Sequence, residues 1–344
     1  MRIAQLAPLS ESVPPETYGG TELIVSLLTE GLVKNGHEVT LFAAGDAKTK
    51  SKLISVVEKS LRTDQTIPIR QWQAYDLRLL VELEKRKDDF DIIHNHMGYQ
   101  ALPFLDRFKK PTVTTNHNNI KDYTGPIYLN YASLPYVAIS NSYRQSNYPD
   151  KLNYYGMVYN GIDLKQFPFR ENQKREYLLF IGRVGNDKGT LEAIEIALAL
   201  NMPLKIAGKV DEADKAYFEQ KIKPLLSNPK IEYVGEVNLK EKVALYNNAI
   251  AVIYPINFDE PFGLVMVEAL AMGRPVVALN RGAVKEVISD KETGIIANTK
   301  EELIKRFGEI DKISALACRN RAVSLFSYEK MVAEYEKVYR SLCQ

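Results

Sequence analysis

The chain of 344 residues holds only two cysteines, one tryptophan and four histidines. Both cysteines, Cys318 and Cys343, fall in the last tenth of the sequence, which argues against a disulfide framework and against a cysteine metal site. No apolar run reaches the roughly 20 residues needed to span a bilayer. Met1-Arg2-Ile3-Ala4-Gln5-Leu6 reads as a strand, without the long apolar core and cleavage site of a secretory leader. The cytoplasm is therefore the expected location. Net charge is scarce as well, with 45 basic against 43 acidic residues. Counted to Asn160 the balance is 18 to 17, and beyond it 27 to 26. Neither part is a basic module, so a nucleic-acid partner has no electrostatic footprint. Weak peripheral contact with an anionic membrane surface stays compatible with these counts. Low-complexity segments and residue-level repeats are also absent.

What is present is an ordinary globular composition, 45% hydrophobic and 26% charged, long enough for two domains. Short apolar runs alternate with amphipathic segments. Ile3–Ala7, Glu38–Ala43, Asp91–His94, Pro111–Thr115, Tyr136–Ile139 and Gly156–Tyr159 read as strands. Thr21–Lys34 carries Leu23, Ile24, Leu27, Leu28 and Leu32 at helical spacing, and Leu77–Lys87 is a charged amphipathic helix. The chain turns at Asn160-Gly161-Ile162-Asp163, and the rhythm then restarts. Tyr177–Ile181, Leu204–Ala207, Ile231–Val234, Ala251–Tyr254 and Pro275–Ala278 read as strands, with helices predicted at Thr190–Leu200, Ala213–Leu226 and Tyr328–Leu342. This predicts an α/β chain of two doubly wound, Rossmann-like domains, 1–160 and 161–326, with a final helical segment 327–344. Such sheets bind ligands at the carboxyl ends of their strands, so two facing sheets would place a cleft between the domains.

Four segments after predicted strands carry chemistry. In Asp259-Glu260-Pro261-Phe262-Gly263-Leu264, Pro261 keeps Glu260 out of the following helix. Phe262, Gly263 and Leu264 then place backbone donors at a helix start, suited to an anion or sugar hydroxyls. Glu268 lies one turn beyond Leu264, on the same face, where it can accept from a diol. In Gly182-Arg183-Val184-Gly185-Asn186-Asp187-Lys188-Gly189 a glycine loop presents two cations before a helix, an arrangement suited to a diphosphate. The competing reading is two solvated loop cations. Tyr18-Gly19-Gly20-Thr21-Glu22 allows close backbone approach ahead of a helix N-terminus, or is a flexible loop with a threonine cap. His117, after Pro111–Thr115, fits a polar site residue better than a metal ligand. His94 and His96 read as strand-end packing, since no carboxylate near them has ligand spacing, and His37 as a turn residue. The triplet Asp89-Phe90-Asp91 reads as a solvated lead-in to a strand. No metal is expected.

Taken in order, these residues resemble the retaining glycosyltransferases of family 4, which have the GT-B fold. The resemblance covers nearly the whole chain. It runs through Gly19-Gly20-Thr21-Glu22, Asn160-Gly161-Ile162-Asp163, Gly182-Arg183 with Lys188-Gly189, and Glu260-Pro261-Phe262-Gly263-Leu264. It continues through Glu268-Ala269, Gly273-Arg274-Pro275-Val276-Val277, Gly282, Glu286-Val287-Ile288 and Thr293-Gly294. The resemblance implies a nucleotide-diphosphate sugar, UDP- or GDP-linked, as donor. Arg183 and Lys188 would hold its diphosphate, with Gly182 in the same loop. Glu268 would hold the ribose, and Glu260 with the amides of Phe262, Gly263 and Leu264 the transferred sugar. Gly19 and Gly20 would approach the phosphate, Val237 would border the base, and His117 would sit on the acceptor side of the sugar. The last helix would cross back onto the first domain. The acceptor would be a hydroxyl on a saccharide, a lipid-linked molecule or a small molecule, with no cofactor. Two other readings share the fold, a sugar-nucleotide 2-epimerase and a non-catalytic nucleotide-sugar-binding subunit. A dehydrogenase is disfavoured because no G-x-G-x-x-G follows Ile3–Ala7.

Overall fold

Four of the five residues in Arg2–Leu6 are buried, and this segment forms the strand β1. A strand buried on both faces needs cover on both sides, the condition met by parallel sheets. In a computed structural model that describes residues 1–17, 19–171 and 174–344, the chain divides into two compact units. One comprises Met1–Gly161 with Tyr328–Gln344, the other Ile162–Ser327. Tyr18 of the early glycine motif lies outside the described residues.

Among the described residues the first unit has seven strands: β1, β2 (Glu38–Phe42), β3 (Lys52–Ile54), β4 (Ile92–Asn95), β5 (Thr112–Thr115), β6 (Tyr136–Ala138) and β7 (Tyr154–Met157). Every pairing is parallel, in the order β3-β2-β1-β4-β5-β6-β7. The order reverses between β1 and β4, the switch point at which such sheets take ligands. The helix Gly20–Lys34 buries Ile24, Val25, Leu28 and Leu32. On the helix Tyr328–Leu342 the buried residues are Met331, Val332, Tyr335, Val338 and Tyr339, an i, i+1, i+4, i+7, i+8 stripe. The two helices meet closely enough that a Cβ on Gly31 would lie 2.4 Å from Cγ2 of Val332. Valine is stiff at χ1 and cannot swing away cheaply. Gly31→Ala is therefore expected to cost about 1–3 kcal/mol by overpacking, read as a lower urea midpoint with an unchanged slope. An unmoved midpoint would mean that this helix contact is loose.

The second unit pairs β8 (Tyr177–Ile181), β9 (Leu204–Ala207), β10 (Ile231–Gly235), β11 (Ala249–Tyr254), β12 (Val276–Leu279) and β13 (Gly294–Ala297). The sheet runs β10-β9-β8-β11-β12-β13 and is again parallel throughout. Its switch point lies between β8 and β11, so the loops after these two strands flank the expected ligand position.

Some boundaries differ from the sequence reading. The strand predicted at Gly156–Tyr159 begins two residues earlier, where Tyr154 pairs with Tyr136. The predicted Leu77–Lys87 helix spans Trp72–Glu84. Ala213–Leu226 is not one α-helix: after a single α-turn, Phe218–Ile222 is a π-turn and Lys223–Ser227 a 3-10 turn. Pro224 explains the change, because it removes a backbone donor and its ring crowds the preceding turn. The short strands β3 and β13 lacked a periodic signal in the sequence.

Candidate functional site

In the second unit, β8 ends at Ile181 and the loop Gly182–Gly189 follows before the helix Thr190–Ala199. β11 ends at Tyr254, and its loop runs to Gly263, the N-cap of the helix Leu264–Ala271. The two loops meet: Lys188 Nζ lies 3.3 Å from Glu260 Oε2. The Tyr254 hydroxyl donates to that same oxygen at 2.6 Å. Lys188 also sits 4.5 Å above the centre of the Phe258 ring. Glu260 is 8% exposed and lies outside any helix, as Pro261 requires. A third loop, after β12, fixes its backbone. Ala283 N donates to the Glu260 carbonyl at 2.8 Å. Gly282 comes so near that an added Cβ would sit 2.3 Å from Glu260 N and O, and its φ of 55° also favours glycine. Three carboxyl-end loops thus converge on one residue, Glu260.

Arg183 is no solvated loop cation. Its guanidinium is hydrogen-bonded to Asp187 and Asp214, and Asp211 lies 3.8 Å away. Lys188 is likewise paired, so neither cation fits the solvated reading. Glu268 is 3% exposed, so this helix glutamate is buried. Lys242 Nζ donates to its Oε1 at 2.7 Å and the Tyr246 hydroxyl to its Oε2 at 2.9 Å. Burial and the neighbouring Glu268 carboxylate push the Tyr246 hydroxyl far above its usual pKa, so it remains a donor. Lys242 and Tyr246 stand one turn apart on the helix Leu239–Asn248. That helix is capped by Asn238, which follows the half-buried Val237 directly. Val237 and the residues that hold Glu268 therefore belong to one continuous loop and helix.

In the first unit, Gly19 is the N-cap of the helix Gly20–Lys34 and no side chain caps it, so Thr21 is not the cap. Glu22 in the first turn is 5% exposed and accepts from Ser10 Oγ at 3.1 Å. Its burial raises the carboxyl pKa. His94 and His96, expected to be packing, are wired into a polar network instead. His96 Nδ1 lies 3.0 Å from His117 Nε2, and His96 Nε2 lies 3.0 Å from Gln5 Oε1. Burial lowers His117 to about 4 and carries His94 and His96 well below the usual imidazole value, so all three are neutral at pH 7. His37 bonds Glu336 at 3.0 Å, as a structural residue would. Of the Asp89-Phe90-Asp91 triplet, Asp91 is paired to Arg2 at 2.7 Å. Among the described residues no group of three histidine, cysteine or acidic side chains is placed to hold a metal. No helix there is long and apolar enough to cross a membrane.

Sequence reasoning missed the partners. Tyr254, Lys242, Tyr246 and Asp214 were legible only as members of a strand or helix. The one available signal was Lys242 and Tyr246 at i and i+4 beside the Val237 loop.

Comparison with known proteins fits this arrangement. Residues 162–317 match the family model "Glycosyl transferases group 1", and residues 18–166 match "Glycosyltransferase Family 4". An uncharacterized glycosyltransferase of Methanocaldococcus jannaschii is 27% identical, over 85% of this chain and 84% of its own. The O-antigen chain mannosyltransferase C of Escherichia coli is 23% identical over 96% of each chain. Among solved structures, Anabaena HepE in complex with UDP-glucose superposes with a TM-score of 0.75 at 18% identity, covering 99% of this chain and 100% of that one. Two parallel α/β sheets, the converging loops and these matches agree: the chain belongs to the group 1 glycosyltransferases of family 4, enzymes that transfer a sugar from a nucleotide-sugar donor, and has the GT-B fold.

Proposed function

We propose that this glycosyltransferase moves a hexose from a UDP- or GDP-sugar to a hydroxyl acceptor with retention of anomeric configuration. The observation that carries the reading is the meeting of Lys188 and Glu260 across the β8–β11 switch point. A cation and a buried carboxylate from two loops give one end for a diphosphate and one for sugar hydroxyls. The amides of Phe262, Gly263 and Leu264 stand at the start of the same helix, where an electron-rich group is favoured. In this reading the bond from the sugar anomeric carbon to the diphosphate oxygen breaks as the acceptor oxygen bonds that carbon on the same face. The acceptor proton passes to the departing phosphate oxygen, so no strong protein base is required. Negative charge grows on the diphosphate, and Lys188 stabilises it. Arg183 joins by exchanging carboxylate partners among Asp187, Asp211 and Asp214 for the diphosphate. Glu268, held by Lys242 and Tyr246, accepts from the ribose diol. With protein cations carrying the charge, activity should persist in EDTA. The likeness to a protein solved with UDP-glucose supports a UDP-sugar as the first donor to try.

The test is a panel of UDP- and GDP-hexoses, with and without EDTA, scored by melting temperature and by release of free nucleoside diphosphate with an acceptor pool. One donor class is expected to stabilise the protein and to release diphosphate in both conditions. Conversion of the donor to its 2-epimer would favour the epimerase instead. Binding without turnover on any acceptor would favour the non-catalytic subunit.

A further inference from the structure

The polar network behind His117 has a direction. The Tyr339 hydroxyl accepts from Gln5 Nε2 at 3.0 Å and lies 2.6 Å from His94 Nδ1. With Gln5 donating, the hydroxyl's own proton is free for that nitrogen. His94 then donates from Nε2 to Thr115 Oγ1 at 2.9 Å, and Thr115 in turn touches the Tyr335 hydroxyl at 3.1 Å. On the other side, Gln5 spends its amide protons toward Tyr339 and presents Oε1, an acceptor, to His96 Nε2. With Gln5 in this orientation His96 carries its proton on Nε2, which leaves its Nδ1 as an acceptor facing His117 Nε2. His117 must donate there. A neutral imidazole has one N–H, so Nδ1 of His117 is a bare lone pair, and it has no hydrogen-bond partner.

We propose that Tyr339, Gln5 and His96 form a positioning relay that holds His117 as its Nε2–H tautomer and reserves Nδ1 as an acceptor for a hydroxyl of the bound sugar. The sugar contact rests on the transferase reading; the tautomer does not. The polarity matters because the same atoms support the opposite order. With the Gln5 amide turned over, every proton would shift, and His117 would present an unpaired Nδ1–H, a donor. An orphaned buried N–H is rarer than an under-used acceptor, which favours the order set out here. The burial that keeps all three rings neutral removes the one state in which both nitrogens donate. The relay also gives the helix Tyr328–Leu342 a part in the site, through Tyr339, beyond its packing against the helix Gly20–Lys34.

The experiment is a long-range proton–nitrogen correlation spectrum of the full chain labelled with nitrogen-15 histidine, at neutral pH and without donor. With four histidines in the chain, His117→Gln assigns the relevant signals. A protonated Nε2 and bare Nδ1 on His117 is the expected result, and Nδ1–H would overturn the relay. Gln5→Leu should mix the two tautomers, whereas Gln5→Glu, which still accepts from His96, should keep the wild-type form. His96→Phe provides the second break if Gln5→Leu does not fold. A His117 tautomer unchanged by either break would also overturn the proposal. With donor and acceptor, Gln5→Leu should lower kcat about tenfold, the effect of one misdirected hydrogen bond, with a smaller change in donor KM. Restoration by Gln5→Glu supports the relay, and wild-type kcat in Gln5→Leu ends its part in the reaction.

Discussion

Lys188→Ala is expected to lower turnover by about 100-fold or more, with donor binding weakened less. The magnitude is that of a preorganised group aimed at charge that develops in the transition state. A contact that strengthens as the glycosidic bond breaks appears in kcat, because it favours the transition state over the bound donor. Lys188 suits the role geometrically. Its ammonium stands over Phe258 and against Glu260, at the end of a loop that β8 and the helix Thr190–Ala199 hold at both ends. Removing it also strips Glu260 of a cation, although Tyr254 still donates to that carboxylate. Steady-state kinetics on the folded variant, beside Arg183→Ala, decides the matter. Wild-type turnover in both variants would remove the diphosphate assignment.

Glu268→Ala should behave differently. Ribose contacts change little along the reaction, so their loss weakens ground state and transition state alike. The donor KM should rise about 10- to 100-fold, the range for hydrogen bonds to a charged group, with kcat nearly unchanged. The variant leaves Lys242 and Tyr246 without their carboxylate, so a lower melting temperature is expected as well. Glu268→Gln separates the effects: it keeps the volume and one acceptor, and should recover stability more fully than donor affinity. A fall in kcat with unchanged KM in Glu268→Ala would place this residue at the reacting sugar instead of the ribose.

How far the sequence reveals this site follows from the physics of each signal. Pro261 and Gly263 act locally, through a lost donor and a helix start, so the loop position of Glu260 was readable. The strand-loop-helix rhythm was readable for the same reason, since burial on both faces leaves continuous apolar runs at β8, β11 and β12. Pairings between distant segments leave no local trace. The partners of Glu268 stayed hidden because nothing nearby in sequence announces Lys242 or Tyr246. The partners of Arg183 stayed hidden because Asp211 and Asp214 come from the loop after the next strand. His94 and His96 looked like packing because the atoms that orient them belong to Gln5, Thr115 and Tyr339, the last of these 245 residues from His94. The break at Pro224 is a local signal, and the reading of Ala213–Leu226 as one helix passed over it.

The central claim is transfer on one face of the sugar, driven by charge stabilisation at the leaving diphosphate. It is tested most directly by proton NMR of the first glycoside formed from an α-linked nucleotide hexose, read at the anomeric proton before any equilibration. A product with the α configuration of its donor is expected. A β-configured product would contradict it, because inversion requires attack from the opposite face and a protein base to take the acceptor proton.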